Sequence, residues 1–126
     1  MDKASGQKKV IEAVCPNCGG VTKISNGDKF PTYTCHVGHR FSELSFGAAY
    51  AEYTEGKLWA AYRTIVENKN YHEMCHRRAM KIKDHGRARF CRLMAESLES
   101  QARKLRELID NFIEINAKAA QQGITS

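Results

Sequence analysis

Two short cysteine motifs near the start of the chain carry its clearest chemistry. The first, CPNCGG, contains Cys15 and Cys18, and the second, CHVGH, runs from Cys35 to His39. Two such knuckles separated by a hairpin form a zinc ribbon, because zinc takes four tetrahedral ligands from thiolates and imidazoles. Calcium and magnesium prefer oxygen ligands. The sequence therefore predicts one structural Zn²⁺ bound by Cys15, Cys18, Cys35 and His39.

The histidine ligand has to be chosen from two candidates, His36 and His39. His36 directly follows Cys35, so its side chain would have to swing back around that of its neighbour. His39 follows a turn at Gly38 and can complete the tetrahedron. We therefore expect His39 to bind the metal and His36 to lie at the surface.

A catalytic zinc site would need an open coordination position for water, whereas four protein ligands close the shell. If His39 did not bind, the site would open, and Glu43 is the nearby carboxylate that could then serve as a general base. No other nucleophile motif is present in the sequence. The sequence favours a non-enzymatic protein and leaves a zinc hydrolase as a remote alternative.

The residues between the two motifs must bring them together. Val21–Ser25 and Thr32–Cys35 contain β-branched and aromatic residues typical of short strands, and Asn26, Gly27 and Asp28 supply a tight turn. A segment this small cannot bury enough apolar surface to be stable alone. We therefore expect a short β-hairpin that depends on the metal for its stability.

After Ser42, a plausible N-cap, the pattern changes to two long helices. A turn at Asp84-His85-Gly86 separates them, and the second helix is expected from Arg87 to Ala120. Apolar residues recur at intervals of seven on both helices, which is typical of helices packed along a seam. On the second helix the two predicted rows are Cys91, Leu98, Leu105, Phe112 and Met94, Gln101, Leu108, Ile115, widened by Ala102 and Ile109.

These elements define the expected fold class, α+β and mostly α. We predict a flexible tail over residues 1–13, a zinc ribbon over 14–42, a long antiparallel helical hairpin over 43–120 and a second tail over 121–126. A two-helix hairpin leaves apolar surface uncovered, so we expect a homodimer or a protein partner. Trp59 and Tyr62, in an aromatic concentration on the first helix, form a candidate partner surface.

The formal net charge of +6 has a local origin. Seven basic residues and a single acid, Asp84, lie between His76 and Arg92. Such a cluster attracts polyanions, so a nucleic-acid-binding zinc protein is the main alternative function, and a solvated helix tip is the plainer interpretation. The candidate polyanion-binding residues are Arg77, Arg78, Lys81, Lys83, Arg87, Arg89 and Arg92.

The five cysteines are an odd number, which favours metal binding and free thiols over a disulfide framework. Cys75 and Cys91 are expected to pack in the interhelical seam about a turn apart, so a disulfide is not the first expectation and a redox switch is the rarer alternative. No apolar stretch has the length of a membrane span, and the first residues lack the core of a signal peptide. We therefore expect a cytoplasmic protein without membrane contact.

Several of these runs together resemble a known family. CPNCGG, YTCHVGHRFS and the LWAA run preceded by Glu55 resemble the C-terminal extension of some bacterial chemotaxis-type protein-glutamate methylesterases. The resemblance covers residues 14–67 and implies the ligands Cys15, Cys18, Cys35 and His39. The family pattern more often has another residue where this sequence has His36. The resemblance also implies a bacterial protein connected with signalling.

The sequence also departs from that family because it has no room for the esterase domain that precedes the extension. The esterase activity therefore cannot be carried over, and a likeness of fold says little about function. We expect a non-catalytic zinc-binding adaptor that interacts with protein partners.

Overall fold

A computed structural model describes residues 8–26 and 30–123. It contains six elements, which are β1 (Lys8–Val14), β2 (Val21–Ser25), β3 (Thr32–Cys35), β4 (Arg40–Ser42), α1 (Glu43–Lys81) and α2 (His85–Gly123). The expected fold class, α+β and mostly α, is confirmed. The chain divides into two compact units, Met1–Thr54 and Glu55–Ser126, and the division falls within α1.

The first unit contains a four-stranded antiparallel sheet in the order β1-β2-β3-β4. Each strand pairs with the next one along the chain, so the β1–β2 and β3–β4 loops lie at the same end of the sheet. The predicted turn begins at Asn26, and its Gly27 and Asp28 lie outside the described residues. The two cysteine motifs occupy the two loops that share an end, which is how residues distant in sequence are brought together.

The sheet is larger than the hairpin expected from the sequence. Residues 8–14 form β1, although residues 1–13 were expected to be a flexible tail, and residues 1–7 lie outside the described part. The lysines and small residues of this stretch suggested a tail, but Val10, Ile11 and Val14 favour a strand. β1 satisfies the backbone groups on the free edge of β2, which would otherwise need water.

Aromatic packing connects the sheet to the first turns of α1. The ring of Phe46, a buried residue, stacks on Tyr33 at 4.6 Å between centroids, meets Phe41 edge to face at 5.5 Å and lies tilted against Tyr50 at 5.6 Å. Pairs at these separations stabilise a fold beyond the area that they bury. The first turns of α1 therefore belong to the core of the first unit.

Ser42 caps the start of α1, as the sequence predicted. The Ser45 backbone N–H donates to Ser42 Oγ at 3.1 Å, and the Ser42 backbone N–H donates to Ser45 Oγ at 2.9 Å. This reciprocal pair satisfies two N–H groups that a helix end leaves without partners. Glu43 follows in the first turn, where the helix dipole favours an acid.

The second unit is a hairpin formed by α1 from Glu55 onward and by α2. Two contacts fix its register: Lys69 Nζ lies 3.6 Å from Glu99 Oε1, and the Arg106 guanidinium lies 5.3 Å from the ring centre of Trp59. The row of α2 that faces α1 is rich in small side chains. The buried residues of this interface are Ala79, Ala88, Cys91, Ala95, Ala102 and Ile109.

One of the predicted seam rows is wrong. The row of Cys91, Leu98, Leu105 and Phe112 is buried or half-buried, but Gln101, Leu108 and Ile115 of the other row are exposed. The row that replaces it consists of Ala88, Ala95, Ala102 and Ile109. A prediction that counts apolar residues along the sequence favours rows of large side chains, because alanine is only weakly apolar. Close packing of two helices instead favours rows of small side chains.

A tight turn at residues 82–84 joins the two helices. Lys83 has a φ of 59°, and the Asp84 N–H donates to the Ala79 carbonyl at 2.9 Å, which is the hydrogen bond of a Schellman motif. Asp84 Oδ1 then accepts from the Arg87 N–H at 3.1 Å and caps α2. α2 begins at His85 and continues to Gly123, so it extends three residues into the stretch expected as a tail.

Neither helix in the described part of the chain has an apolar stretch with the length and low charge that crossing a membrane requires.

Candidate metal centre

The first cysteine loop folds back on itself between β1 and β2. The Gly19 N–H donates to the Cys15 carbonyl at 2.7 Å, and the Cys15 N–H donates to the Gly20 carbonyl at 2.8 Å. Gly19 has a φ of +75°, a conformation that side chains with a Cβ rarely adopt. The glycine therefore allows the turn that brings both sulfurs to one side.

The second loop, between β3 and β4, has a closely similar arrangement. The Gly38 N–H donates to the Cys35 carbonyl and the Cys35 N–H donates to the His39 carbonyl, both at 3.0 Å. Gly38 has a φ of +105°, again in the region that favours glycine. The turn places His39 on the same side as Cys35, as the sequence argument about Gly38 anticipated.

The two loops bring Cys15, Cys18, Cys35 and His39 together, with one potential ligand atom from each within 4.8 Å of all the others. The sulfurs of Cys18 and Cys35 are 3.7 Å apart. His39 Nδ1 lies 3.2 Å from the sulfur of Cys35 and 3.6 Å from that of Cys15. These four residues are the one group of three or more metal-ligating side chains in residues 8–26 and 30–123.

The one S···S distance and the two S···N distances just given are close to the edges of a zinc tetrahedron. With metal–sulfur bonds of about 2.3 Å and a metal–nitrogen bond of about 2.0 Å, tetrahedral geometry gives S···S edges of about 3.8 Å and S···N edges of about 3.6 Å. A disulfide would require about 2.05 Å, and all five cysteines are free. The four side chains are therefore compatible with one tetrahedral metal ion.

Backbone N–H groups point at the sulfurs. The Asn17 N–H donates to Cys15 Sγ and the His39 N–H donates to Cys35 Sγ, both at 3.4 Å. Burial disfavours ionisation of Cys35, but hydrogen bonds from the His39 and Val37 backbones outweigh it and lower the pKa of the thiol to about 6. This environment favours a thiolate, which is the form that binds metals.

The pKa of Cys18 shifts in the opposite direction. A hydrogen bond from the Gly20 backbone favours its thiolate, but burial and the neighbouring Cys35 and Cys15 thiols raise the pKa overall. Adjacent groups that would carry the same charge disfavour each other's ionisation. A bound dication removes this conflict, because its charge stabilises all three thiolates at once.

His36 lies outside this group and is exposed, as expected from the sequence. Its ring packs beside Gly20, so that a Cβ added at Gly20 would overlap the ring and would lie 3.4 Å from Cys18 Sγ. Sequence reasoning did not predict this contact between His36 and Gly20. The close packing of the His36 ring gives a steric reason for a glycine at the last position of CPNCGG.

The basic residues expected to bind a polyanion lie around the turn of the hairpin, and all seven are exposed. Within the described residues only Arg92 of the seven forms an ion pair, with Glu96 at 3.9 Å. Other basic residues of α2 pair with acids one turn away, as Arg106 does with Asp110 and Lys118 with Glu114. The positive charge at the turn is therefore largely uncompensated.

Trp59 and Tyr62 are half-buried and contact each other edge to face at 5.7 Å. Trp59 Nε1 donates to Glu55 Oε2 at 3.3 Å, and the Trp59 ring also receives Arg106 from α2. With Arg63 and Val66 they line an open cavity of about 380 Å³. Sequence reasoning missed the contact between Trp59 and Arg106. Because of this contact, Trp59 takes part in the packing of the two helices as well as in the surface of the hairpin.

No family model, curated protein or solved structure matches the chain. The resemblance to the methylesterase extension remains a prediction based on the sequence motifs.

Proposed function

We propose that this protein is a non-catalytic interaction module whose first unit is held together by one structural zinc ion. The observation that carries the proposal is the group of four ligand atoms, three sulfurs and one imidazole nitrogen, that lie within 4.8 Å of one another. Thiolate-rich tetrahedral groups suit zinc, and four protein ligands leave no position for a reacting water.

The small core of the first unit explains why a metal would be needed. Apart from the ligands Cys15 and Cys35, its buried side chains in the described residues are Phe46 and Thr22. Units of this size rarely bury enough apolar surface for stability without a metal, a disulfide or a partner. Zinc would tie the β1–β2 loop to the β3–β4 loop, and its binding free energy would contribute directly to folding.

The second unit supports an interaction role. Leu108 and Ile115 project from α2 as exposed apolar residues, in the same heptad row as Met94. A row of this kind on a two-helix hairpin is typical of a bundle that a further helix completes. A second copy of the chain would supply two helices and complete a four-helix bundle as a two-fold dimer, the commonest kind of symmetric assembly.

The resemblance supports the finer part of the proposal, an adaptor in bacterial signalling. The resemblance rests on the two cysteine loops and the Glu55-x-x-LWAA run. In the structure, the cysteine loops contain the four candidate metal ligands, and the LWAA run contains Trp59, which contacts Tyr62. We propose that the module acts through partners and without chemistry of its own.

Substitution with cobalt tests the non-catalytic proposal. We expect the cobalt protein to show strong thiolate-to-metal charge transfer and the intense visible bands of a four-coordinate ion, and to leave these bands unchanged on addition of azide or cyanide. A five-coordinate spectrum, or new bands when an anion is added, would show an open position and favour the hydrolase alternative.

A second candidate function, polyanion binding, is favoured by the uncompensated charge at the hairpin turn. Arg78, Lys81, Lys83, Arg87 and Arg89 are exposed and have no ion-pair partner in the described residues. Phosphate backbones bind such clusters through release of counterions. Nucleic acid would then bind at the turn, independently of the zinc.

A salt series with a labelled oligonucleotide tests this candidate. Binding should weaken steeply between about 50 and 200 mM salt, and the double change Arg87→Glu and Arg89→Glu should abolish it. The matched control is the double change Arg103→Glu and Lys104→Glu, which removes equal charge from the same helix away from the turn. Equal losses in both variants, or no binding at low salt, would reject the candidate.

A further inference from the structure

Cys75 and Cys91 occupy facing positions on the two helices of the hairpin. Ala79 and Ala88, the buried residues closest to the turn on the two helices, are 1% and 3% exposed. Cys75 lies one turn before Ala79, and Cys91 lies one turn after Ala88. The next layer away from the turn is therefore formed by the two thiols.

Contacts on either side of this layer agree with the register. Farther from the turn, Lys69 meets Glu99. The ring of Phe90, the residue before Cys91, lies 6.3 Å from that of His72, which is one turn before Cys75. Burial and the neighbouring Cys75 thiol raise the pKa of Cys91, and the Cys75 thiol also raises the pKa of Tyr71. The two thiols are thus direct neighbours across the seam, not a turn apart as the sequence suggested.

The surrounding side chains allow the two backbones to approach. An interhelical disulfide needs Cα atoms within about 7 Å of each other, which is closer than most helix pairs come. Ala79, Ala88 and Ala95 flank the thiol layer and present no side chain beyond Cβ. Small residues at a helix interface reduce the distance between the helix axes.

We propose that Cys75 and Cys91 form a reversible dithiol–disulfide pair that closes the hairpin turn covalently. The oxidant is a low-molecular-weight disulfide such as oxidised glutathione. Cys75 is half-buried and Cys91 is 5% exposed, so the more accessible Cys75 reacts first.

Two exchange steps complete the reaction. The Cys75 thiolate attacks one sulfur of the oxidant, breaks its S–S bond and releases one glutathione thiolate, which leaves a mixed disulfide on Cys75. The Cys91 thiolate then attacks the Cys75 sulfur and releases the second glutathione thiolate. Two electrons pass from the two thiols to the oxidant, and their two protons go to solvent and to the released thiolates.

The disulfide would enclose the part of the chain that carries most of the basic cluster. Arg77, Arg78, Lys81, Lys83, Arg87 and Arg89 all lie between the two cysteines. Closing a loop of about 15 residues removes conformational freedom from the unfolded chain. Oxidation would therefore fix the basic turn in its hairpin conformation without touching the metal ligands.

The test uses the full chain loaded with zinc and exposed to increasing ratios of oxidised to reduced glutathione. Peptide mapping by mass spectrometry should find a Cys75–Cys91 crosslink that is 2 Da lighter than the reduced pair. The melting temperature of the helical signal should rise by an amount on the order of 10 °C and return when a phosphine reductant is added. A chromophoric chelator should detect no zinc release, which separates the reaction from oxidation of Cys15, Cys18 and Cys35.

Two variants show the order of the steps. Cys91→Ser should trap glutathione on Cys75 as a stable mixed disulfide, and Cys75→Ser should leave Cys91 largely unmodified. Both should keep the helical circular dichroism of the parent. A persistent mixed disulfide on Cys75 in the parent protein, or a crosslink that forms only in denaturant, would overturn the proposal.

Discussion

Backbone turns help to position the sulfurs of the metal centre. Gly19 and Gly38 adopt positive φ in the two loops, and the chain after each loop's first cysteine donates an N–H to that cysteine's sulfur. At Cys35 such bonds favour the thiolate before any metal arrives. At the scale of residues, the backbone preorganises the ligands of the metal centre. In this geometry His39 is a candidate ligand and His36 is not.

The two histidines of the second loop offer a matched comparison. His39→Ala removes the imidazole that lies 3.2 Å from Cys35 Sγ, and we expect it to weaken zinc binding by at least about 100-fold, since even groups outside the ligand shell are worth about 10-fold to 100-fold. His36→Ala should change the affinity by less than about 10-fold. Competition titrations with a zinc-binding dye measure both, and a larger loss in His36→Ala would show that the ligand has been misassigned.

At the scale of elements, the helical hairpin is held by a narrow interface of small side chains. Its largest fully buried member is Ile109, at 0% exposure, and the rest of the row is alanine. Such an interface depends on close approach of the two helix backbones, because its small side chains bury little apolar volume. A cavity at Ile109 should therefore be costly.

Ile109→Ala should lower the free energy of unfolding by about 3 kcal/mol, because it removes three buried carbons and leaves a cavity. The control is Leu93→Ala on the same helix, where the side chain is 53% exposed and the cost should stay below about 1 kcal/mol. Urea unfolding followed by far-UV circular dichroism measures both. Equal costs would mean that the interface lies elsewhere on α2.

The turn between the helices stores a local strain. Lys83 adopts a φ of 59°, and a side chain in this left-handed conformation costs about 1 kcal/mol relative to glycine. Lys83→Gly should therefore raise the free energy of unfolding by about 1 kcal/mol, measured in the same urea experiment. Lys83→Ala removes the same charge but keeps the Cβ, so a similar gain from Ala would assign the effect to charge repulsion in the basic cluster.

The sequence predicted the elements better than it predicted their contacts. The ligand set followed from the spacing of Cys15 and Cys18 and from the glycine before His39, because local turn geometry decides both. Ala102 and Ile109 were expected on the apolar face of α2, but the continuation of their row through Ala95 and Ala88 did not follow, nor did the placing of Cys75 level with Cys91. Both depend on how far α1 rotates about its own axis against α2, and a heptad pattern with several partly apolar rows does not specify that rotation.

At the scale of the whole molecule, the two units have different sources of stability. The first unit, Met1–Thr54, contains the metal group, and the second, Glu55–Ser126, contains the hairpin interface and no metal group among its described residues. Loss of the metal should therefore act on one unit alone.

Chelation of zinc from the full chain tests this separation. After addition of a strong chelator, we expect backbone NMR signals of residues 8–42 to collapse into the range of unfolded chains, while those of α2 keep their positions. Restoring zinc should restore the spectrum. An unchanged first unit would show that its aromatic packing suffices for folding, and simultaneous loss of both units would show that they fold as one.

The central claim is that Cys15, Cys18, Cys35 and His39 enclose one zinc ion. X-ray absorption at the zinc edge of the purified full-length protein tests it most directly, since the method reports the type, number and distance of the ligand atoms. We predict three sulfurs at about 2.3 Å and one nitrogen at about 2.0 Å, with no water oxygen. A shell with fewer than three sulfurs, or with an additional oxygen, would contradict this account.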